Sequence, residues 1–212
     1  MRKPYSLKQN YLIRLGSTGI YVSVFSILSL FFVITADLSV YSLIILLSIL
    51  AHESGHIFAL KLCKEKPKKI FIYPFGVDMR CNLSALSYEK ELFVMLSGSA
   101  VNLIICASSF LVCTFAYSRE CLFVSFCNAF YAFTNLIPIT SLDGGRALYA
   151  FLCSRFSEEK AFFICKHVSN ASYALLSVAF IVVIILTKAN FSMIITLCFF
   201  AMGTFLASHL LK

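Results

Sequence analysis

The stretch that decides the fold is 45-ILLSILAHESGHIFALKL-62. It is apolar enough for a helix buried in lipid, yet His52, Glu53 and His56 stand near its middle. A charged or strongly polar side chain near mid-bilayer costs about 2.5–3.5 kcal/mol on insertion scales. Such residues inside a span usually mark a functional site, so the stretch predicts one within a membrane helix.

The composition makes the bilayer part of this protein's solvent. The chain has 212 residues, of which 60% are hydrophobic and 13% charged, against about half and a quarter in soluble domains. Six apolar runs are long enough to cross a ~30 Å hydrocarbon core, and their length favours helices. The predicted spans are residues 17–35, 38–61, 92–117, 121–139, 171–187 and 191–211. No linker or repeat divides the chain, so we predict a single domain, residues 1–212, with an all-α fold: a six-helix polytopic membrane bundle.

The distribution of basic residues predicts the orientation. Of the 18 Lys and Arg residues, 16 fall before the first span, in the two long loops or at the end of the chain. Positive loops stay in the cytoplasm, so both termini of this multi-pass protein are predicted to be cytoplasmic. This topology also accounts for the net charge of +8, and we therefore predict no nucleic-acid partner. The nine cysteines show no C-x-x-C pair and are interpreted as packing residues.

His52 and His56 are four residues apart, so they project from one face of a helix, about 6 Å apart along its axis. Two imidazoles so placed can bind one Zn²⁺, and the adjacent Glu53 can reach a water there, the His-Glu-x-x-His arrangement. The alternative is a pair of histidines that hydrogen-bond within a helix bundle. Gly55 lacks a side chain and lets another backbone come close.

A catalytic zinc site uses three protein ligands, so a third must come from elsewhere. His167, in a predicted loop, and His209, at the end of the last span, are interpreted as interfacial. The carboxylates near the cytoplasmic face are Glu65, Asp78, Glu89, Glu91, Asp143, Glu158 and Glu159.

Asp143 differs from the other carboxylates because it lies in 134-TNLIPITSLDGGRALY-149. Pro138 and the pair Gly144–Gly145 predict that the fourth span unwinds here into irregular backbone. Such backbone at membrane depth is tolerated where it lines a cavity or is buried in protein. The alternative is a plain helix end, with Asp143 capping a helix that starts near Arg146.

Together, "HESGH" (52–56) and "NLIPITSLDGGR" (135–146) resemble the site-2 protease family of intramembrane zinc metalloproteases. That family carries His-Glu-x-x-His on one span, and Asn-x-x-Pro followed by Leu-Asp-Gly on a later one. "LSGSAVNL" (96–103) is similar to a third family element, with Ser99 where the family usually has Pro. The chain looks most like the stage IV sporulation protein FB subgroup, which processes pro-sigma-K, but without its CBS domain.

The resemblance implies a role for each matching residue. His52, His56 and Asp143 would hold one Zn²⁺, and Glu53 would be the general base. Asn135 would steady the oxyanion or position the substrate.

Asn102 would assist Asn135, although interhelical hydrogen bonds are the alternative for both asparagines. Residues 66–80 would form a short cytoplasmic β-hairpin after the second span. There, the strand with Phe71 and Tyr73 would pair with unwound substrate by strand addition.

The expected function is therefore that of a membrane-embedded metalloendopeptidase. It would cut a membrane-tethered protein substrate near the cytoplasmic side of the bilayer, for example to release a sigma-factor precursor. The lipid bilayer and an inhibitory membrane protein are the other expected partners. The expected location is a bacterial cytoplasmic membrane or a membrane surrounding a forespore.

Three other readings of the site are open. The first is a catalytically silent metal-binding membrane scaffold or regulator, from which Glu53 would be expected to be lost. The second is a metal transporter, but the polar residues cluster at one place with no matching second half. The third is the zinc protease type that processes prenylated C-termini, which uses a Glu as third ligand.

Overall fold

The computed structural model describes residues 12–15, 18–22, 39–65, 69–73, 76–80 and 86–186. Its elements, in chain order, are β1 (Leu12–Leu15), β2 (Thr18–Val22), α1 (Val40–Leu62), β3 (Lys69–Tyr73), β4 (Gly76–Arg80), α2 (Tyr88–Phe115), α3 (Arg119–Leu136), α4 (Asp143–Cys153) and α5 (Glu158–Leu186).

Helix α1 has local signals at both ends. The Ser39 hydroxyl accepts a hydrogen bond from the Ser42 amide at 3.4 Å, which caps the first turn. At the other end Lys64 adopts a left-handed conformation with φ of 59°, and the Glu65 amide donates to the Leu60 carbonyl at 3.0 Å. This pattern closes the last turn and stops the helix.

One face of α1 is buried and the others are largely exposed. The buried residues recur every three or four positions: Ile44, Ser48, His52, Gly55, His56, Ala59 and Leu60. Large apolar side chains such as Leu47 and Phe58 are exposed on the remaining surface. A helix with an apolar outer face and polar groups turned inwards is the arrangement that lipid requires.

Helix α2 lies at the centre and packs against α1, α3 and α4. At its crossing with α1, a Cβ on Gly55 would stand 2.7 Å from the Ser97 carbonyl oxygen and 3.0 Å from the Gly98 Cα. The prediction that Gly55 admits a close backbone is therefore confirmed. This contact places the backbone of α2 directly against the histidine face of α1.

Towards the C-terminal end of α1, beyond the crossing at Gly55, a small apolar cluster joins α1, α2 and α4. Its buried members are Ala59, Leu60, Val94, Met95 and Ala147. A second cluster, Leu152, Cys153, Ala161 and Cys165, joins α4 to α5. The two clusters fix the helices that carry the candidate site relative to each other.

The strands form one four-stranded sheet in the order β1-β2-β3-β4. Strands β3 and β4, within the segment predicted as a hairpin, pair antiparallel, whereas β2 and β3 pair parallel. The all-α prediction is thus incomplete. Because β3 has a neighbour on each side, a substrate strand has no free edge there, and strand addition at Phe71 and Tyr73 is wrong. Among the described strands of this segment, the open edge belongs to β4.

Three helices of the described residues are long and apolar enough to cross a membrane: Val40–Leu62, Tyr88–Phe115 and Glu158–Val183. The prediction for residues 17–35 is wrong where it begins, because Thr18–Val22 is a strand. This stretch is rich in β-branched and aromatic residues, which favour strands once partners are available. The rest of that span and the predicted span 191–211, with His209, lie outside the described residues.

The remaining boundaries are also corrected. The predicted span 121–139 corresponds to α3, an 18-residue helix. This helix is less apolar than the three helices that are long and apolar enough to cross a membrane. Helix α5 begins at Glu158, well before residue 171, with Glu158 and Glu159 in its first turn, where acidic residues are favourable. His167 therefore lies in a helix rather than a loop, with its ring 4.3 Å from that of Phe163.

The close crossing at Gly55 makes a testable prediction. Replacing Gly55 by Leu should separate α1 from α2 and lower stability by about 1–3 kcal/mol or more, because the added atoms collide with backbone. The melting temperature of the purified protein in detergent would measure this. Ser54→Leu, at the exposed neighbouring position, is the matched control. Equal melting temperatures for the two variants would contradict the prediction.

Candidate metal centre

The three predicted ligands meet in one place. Asp143 Oδ2 lies 2.9 Å from His52 Nε2 and 3.0 Å from His56 Nε2. The two imidazole nitrogens are 3.2 Å apart. His52 and His56 are buried, and the Asp143 side chain is 17% exposed. The structure thus brings together side chains from α1 and α4 that could hold a metal ion.

A hydrogen bond fixes the tautomer that His56 adopts. Its Nδ1 lies 2.7 Å from the Val94 carbonyl oxygen. A carbonyl oxygen only accepts, so we assign the proton to Nδ1. In the neutral ring, Nε2 then presents a lone pair to the Asp143 carboxylate. Two acceptors 3.0 Å apart repel unless a cation or a proton lies between them.

The donor set fits zinc. Two imidazole nitrogens and one carboxylate oxygen are among the usual ligands of catalytic zinc, which keeps a fourth position open. Tetrahedral bonds of about 2.0–2.1 Å place ligand atoms roughly 3.3 Å apart. The observed separations of 2.9–3.2 Å are close to that value, so small side-chain shifts would admit the ion.

Gly98 of α2 provides the space beside the ligands. A Cβ at this position would lie 2.5 Å from His56 Nε2 and 2.7 Å from His52 Nε2. These distances are shorter than real Cβ contacts, and the ring nitrogens are the ligand atoms themselves. Any side chain on Gly98 would therefore occupy the centre.

Asp143 is positioned by the turn between α3 and α4. Helix α3 ends at Leu136, just before Pro138, as the sequence predicts. Asp143 is the first residue of α4, and the capping position, Leu142, makes no side-chain capping bond. The carboxylate turns to the histidines instead of capping its own helix.

The glycine pair after Asp143 lets the backbone of α4 come close to the end of α3, and it does not adopt an unusual backbone conformation. Gly144 and Gly145 are both helical. The prediction that Asn135 and Asp143 lie on irregular backbone is corrected, because both are helical and the irregular backbone is confined to residues 137–142 between α3 and α4. A Cβ on Gly144 would collide with the Leu136 carbonyl, and one on Gly145 with the Ile139 carbonyl. The pair thus lets α4 fold tightly back against the end of α3.

Helix α5 holds this turn from outside. The Thr140 amide donates to Ser169 Oγ at 3.1 Å, and the Cys165 thiol donates to the Gly145 carbonyl at 3.5 Å. These contacts lie on either side of Asp143 in the sequence. The backbone on either side of Asp143 is therefore held by α5 as well as by α4.

The other predicted site residues have distinct positions. Glu53 follows His52, is half-buried, and lies within electrostatic range of His56. Asn135 donates to the Tyr131 carbonyl at 3.0 Å within α3. Asn102 is fully buried and donates to the Ser48 carbonyl at 3.3 Å, one turn before His52. It links α2 to α1 and stands outside the ligand triangle.

Tyr131 is a residue that the sequence reasoning missed. Its ring lies 5.0 Å from that of His52, centroid to centroid, at an angle of 90°. Tyr131 precedes Asn135 by four residues, so helical spacing places both on one face of α3. This spacing from Asn135 is the signal in the sequence that could have identified Tyr131.

Comparisons with known proteins find similar chains. Residues 40–122 match the family described as "Peptidase family M50". The YydH protein of Bacillus subtilis (strain 168), named as a peptide zinc metalloprotease, is 29% identical over 116 residues, which is 50% of this chain and 45% of YydH. Stage IV sporulation protein FB of the same organism is 27% identical over 122 residues, covering 56% of this chain and 42% of that protein.

A solved structure is also similar. The site-2 protease from Methanocaldococcus jannaschii superposes with a TM-score of 0.63 at 25% identity, covering 92% of this chain and 94% of that one. The chain spans about half the length of the curated relatives it matches.

Fold and site together are similar to those of membrane metalloproteases. More narrowly, residues 40–122, which contain His52, Glu53 and His56, match the peptidase M50 family description, and the fold is similar to that of a site-2 protease.

The space at Gly98 can be tested by adding one methyl group. Gly98→Ala should weaken zinc binding by roughly 5- to 150-fold, because overpacking costs about 1–3 kcal/mol. Chelator competition on the purified protein would measure the zinc Kd. Ala100→Val adds bulk at an exposed position of the same helix and should leave the Kd unchanged. An unaltered Kd in Gly98→Ala would show that the ion does not lie between the ring nitrogens.

Proposed function

We propose that this chain is an intramembrane zinc metalloprotease that hydrolyses a peptide bond of a membrane-associated protein. The observation that carries the proposal is that His52 and His56, on the buried face of α1, meet Asp143 of α4, with the half-buried Glu53 next to His52 in the sequence. Three ligands alone would suit any metal site. The carboxylate next to them supplies the acid–base group that hydrolysis needs.

His52, His56 and Asp143 would hold the ion, one per chain. When bound, zinc would supply Lewis acidity, which acidifies a water molecule and polarises the scissile carbonyl. The fixed tautomer of His56, through Val94, keeps its ligand nitrogen unprotonated and aimed at the centre.

Glu53 is proposed as the general base. It takes a proton from the attacking water and returns it to the amine of the departing peptide. Its half-buried position leaves one side open to substrate while the helix bundle limits access of bulk water.

Asn135 is proposed to steady the negative charge that develops on the carbonyl oxygen. It lies in the last turn of α3, where the helix ends beside the loop that leads to Asp143. Asn102 is proposed to act at a distance, since its bond to the Ser48 carbonyl holds α2 in register with the histidine helix.

Substrate is proposed to bind in extended form along the edge of β4. Peptide bonds in an intact helix are shielded, so cleavage needs local unwinding. An unwound segment can recover its hydrogen bonds by adding as a strand. Strand β4 is an outer strand of the described sheet, paired only with β3.

The excess of basic residues at the chain ends and in the long loops supports cytoplasmic termini and a cytoplasm-proximal site. The resemblance to a relative named as a stage IV sporulation protein supports a bacterial membrane location. We propose a sigma-factor precursor as substrate and an inhibitory membrane protein as regulator.

The function is tested by cleavage of membrane-tethered reporters, including a pro-sigma-K-like precursor. Glu53→Gln should lower the cleavage rate by about 10²–10⁴-fold, because it removes general-base catalysis. Its zinc content should stay near one ion per chain. Gel quantification of product, together with metal analysis of the same samples, checks both parts.

Glu159→Gln, an exposed acidic residue on α5, serves as the matched control and should cleave normally. Asp143→Ala should lose both zinc and cleavage. Undiminished cleavage by Glu53→Gln would remove Glu53 as the base. Stoichiometric zinc without cleavage of any reporter by the wild type would favour a metal-binding scaffold.

Proline substitutions in β4 test the substrate edge. Neighbouring residues of a strand point their amides to opposite sides, so one of Val77→Pro and Asp78→Pro keeps the bonds to β3. That variant, recognised by its unchanged melting temperature, should still bind zinc but lose cleavage. If it cleaves at the wild-type rate, substrate does not add to this edge.

A further inference from the structure

The two histidines of the centre are held in different ways. Histidines that bind metals nearly always donate their second ring N–H to a carboxylate, a carbonyl or a water. His56 does so, to the Val94 carbonyl at 2.7 Å. His52 is 2% exposed, and its Nδ1 has no hydrogen-bond partner among the described residues.

Aromatic contacts surround the His52 ring instead. The Tyr131 ring lies 5.0 Å away at 90°, and the His56 ring 4.8 Å away at 79°. Edge-to-face contacts of this kind are attractive because the positive edge of one ring meets the negative face of another. They also restrict rotation of the imidazole about its χ2 bond.

We propose that Tyr131 is the positioning residue for His52, and that its aromatic ring does for this ligand what the Val94 carbonyl does for His56. The inference rests on the proposed function, because it takes His52 as a metal ligand. It makes α3 part of the metal centre, although α3 contributes no ligand.

The same turn of α3 also places Asn135. The Tyr131 carbonyl accepts the Asn135 side-chain amide at 3.0 Å. Tyr131 therefore connects the ligand on α1 to the asparagine proposed to steady the oxyanion. A change in its ring would disturb the metal, whereas its backbone bond would remain.

The phenol hydroxyl is a separate group and has to be distinguished from the ring. It lies within electrostatic range of Glu53 and Asp143 and within hydrogen-bond reach of the Asn135 side chain, so it could act on the base or on the other ligand rather than on His52. Tyr131→Phe removes the hydroxyl and keeps the ring. Tyr131→Leu and Tyr131→Met remove the ring and keep apolar bulk.

The experiment measures the zinc Kd by chelator competition and the visible spectrum of the Co²⁺-substituted protein in detergent. Tyr131→Leu and Tyr131→Met should each raise the Kd by about 10- to 100-fold, as loss of a ligand's supporting partner does, and should shift the Co²⁺ bands. Tyr131→Phe should match the wild type. Phe130→Leu, at an exposed aromatic position next to it, should also match.

Each outcome either supports the role of the Tyr131 ring or overturns it. A wild-type Kd in the ring-removing variants, or a Kd as weak in Tyr131→Phe as in them, would overturn the role of the ring. Using two ring-removing variants keeps the comparison valid if one of them does not fold. A wild-type chain that binds no zinc would contradict the proposed function itself. When the wild type binds zinc normally, a failed prediction for the variants contradicts only the role of Tyr131.

Discussion

The constraint on which the structure depends is that lipid supplies neither hydrogen bonds nor countercharges. An ionisable side chain on a membrane helix must find its partners inside the protein. Here the Asp143 carboxylate meets His52 and His56 at 2.9 and 3.0 Å. With a cation or a proton between them, the polar groups of α1 and α4 stabilise each other, and the outer faces of the helices are left apolar.

This meeting requires backbones to come unusually close. Gly55 and Gly98 let α2 lie directly against the histidine face, and Gly144 and Gly145 let α4 turn back onto the end of α3. The small residues are concentrated around the centre. Small residues are the means by which membrane helices approach each other, and this chain uses them to build a site.

Much of the centre could be predicted from the sequence because it follows from local geometry. Four-residue spacing places His52 and His56 on one face, and Pro138 ends α3. The paired motifs pointed to Asp143, although the residues alone left helix capping open. Helical spacing does not reveal which ring lies against His52, because Tyr131 reaches it from another helix.

The sheet and some boundaries were not predictable in the same way. The first apolar run begins with β2, which lies between β1 and β3, and the pairing of β2 with β3, far away in the sequence, leaves no local signal. The interior position of β3, which removed the predicted binding edge, has the same origin. Helix α5 extends past its apolar part because its buried residues Ala161 and Cys165 pack on α4.

The separation of the ligands along the chain has a consequence for biosynthesis. Asp143 follows His52 by 91 residues and His56 by 87. A membrane protein emerges from the ribosome and enters the bilayer from its N-terminus onwards, so α1 is inserted long before α4 is translated. The histidine pair is then an unfinished chelate, and α4 completes it only on docking. On the proposed function, metal loading is accordingly a late maturation event, because a chain in which α4 has not docked lacks the third ligand, Asp143.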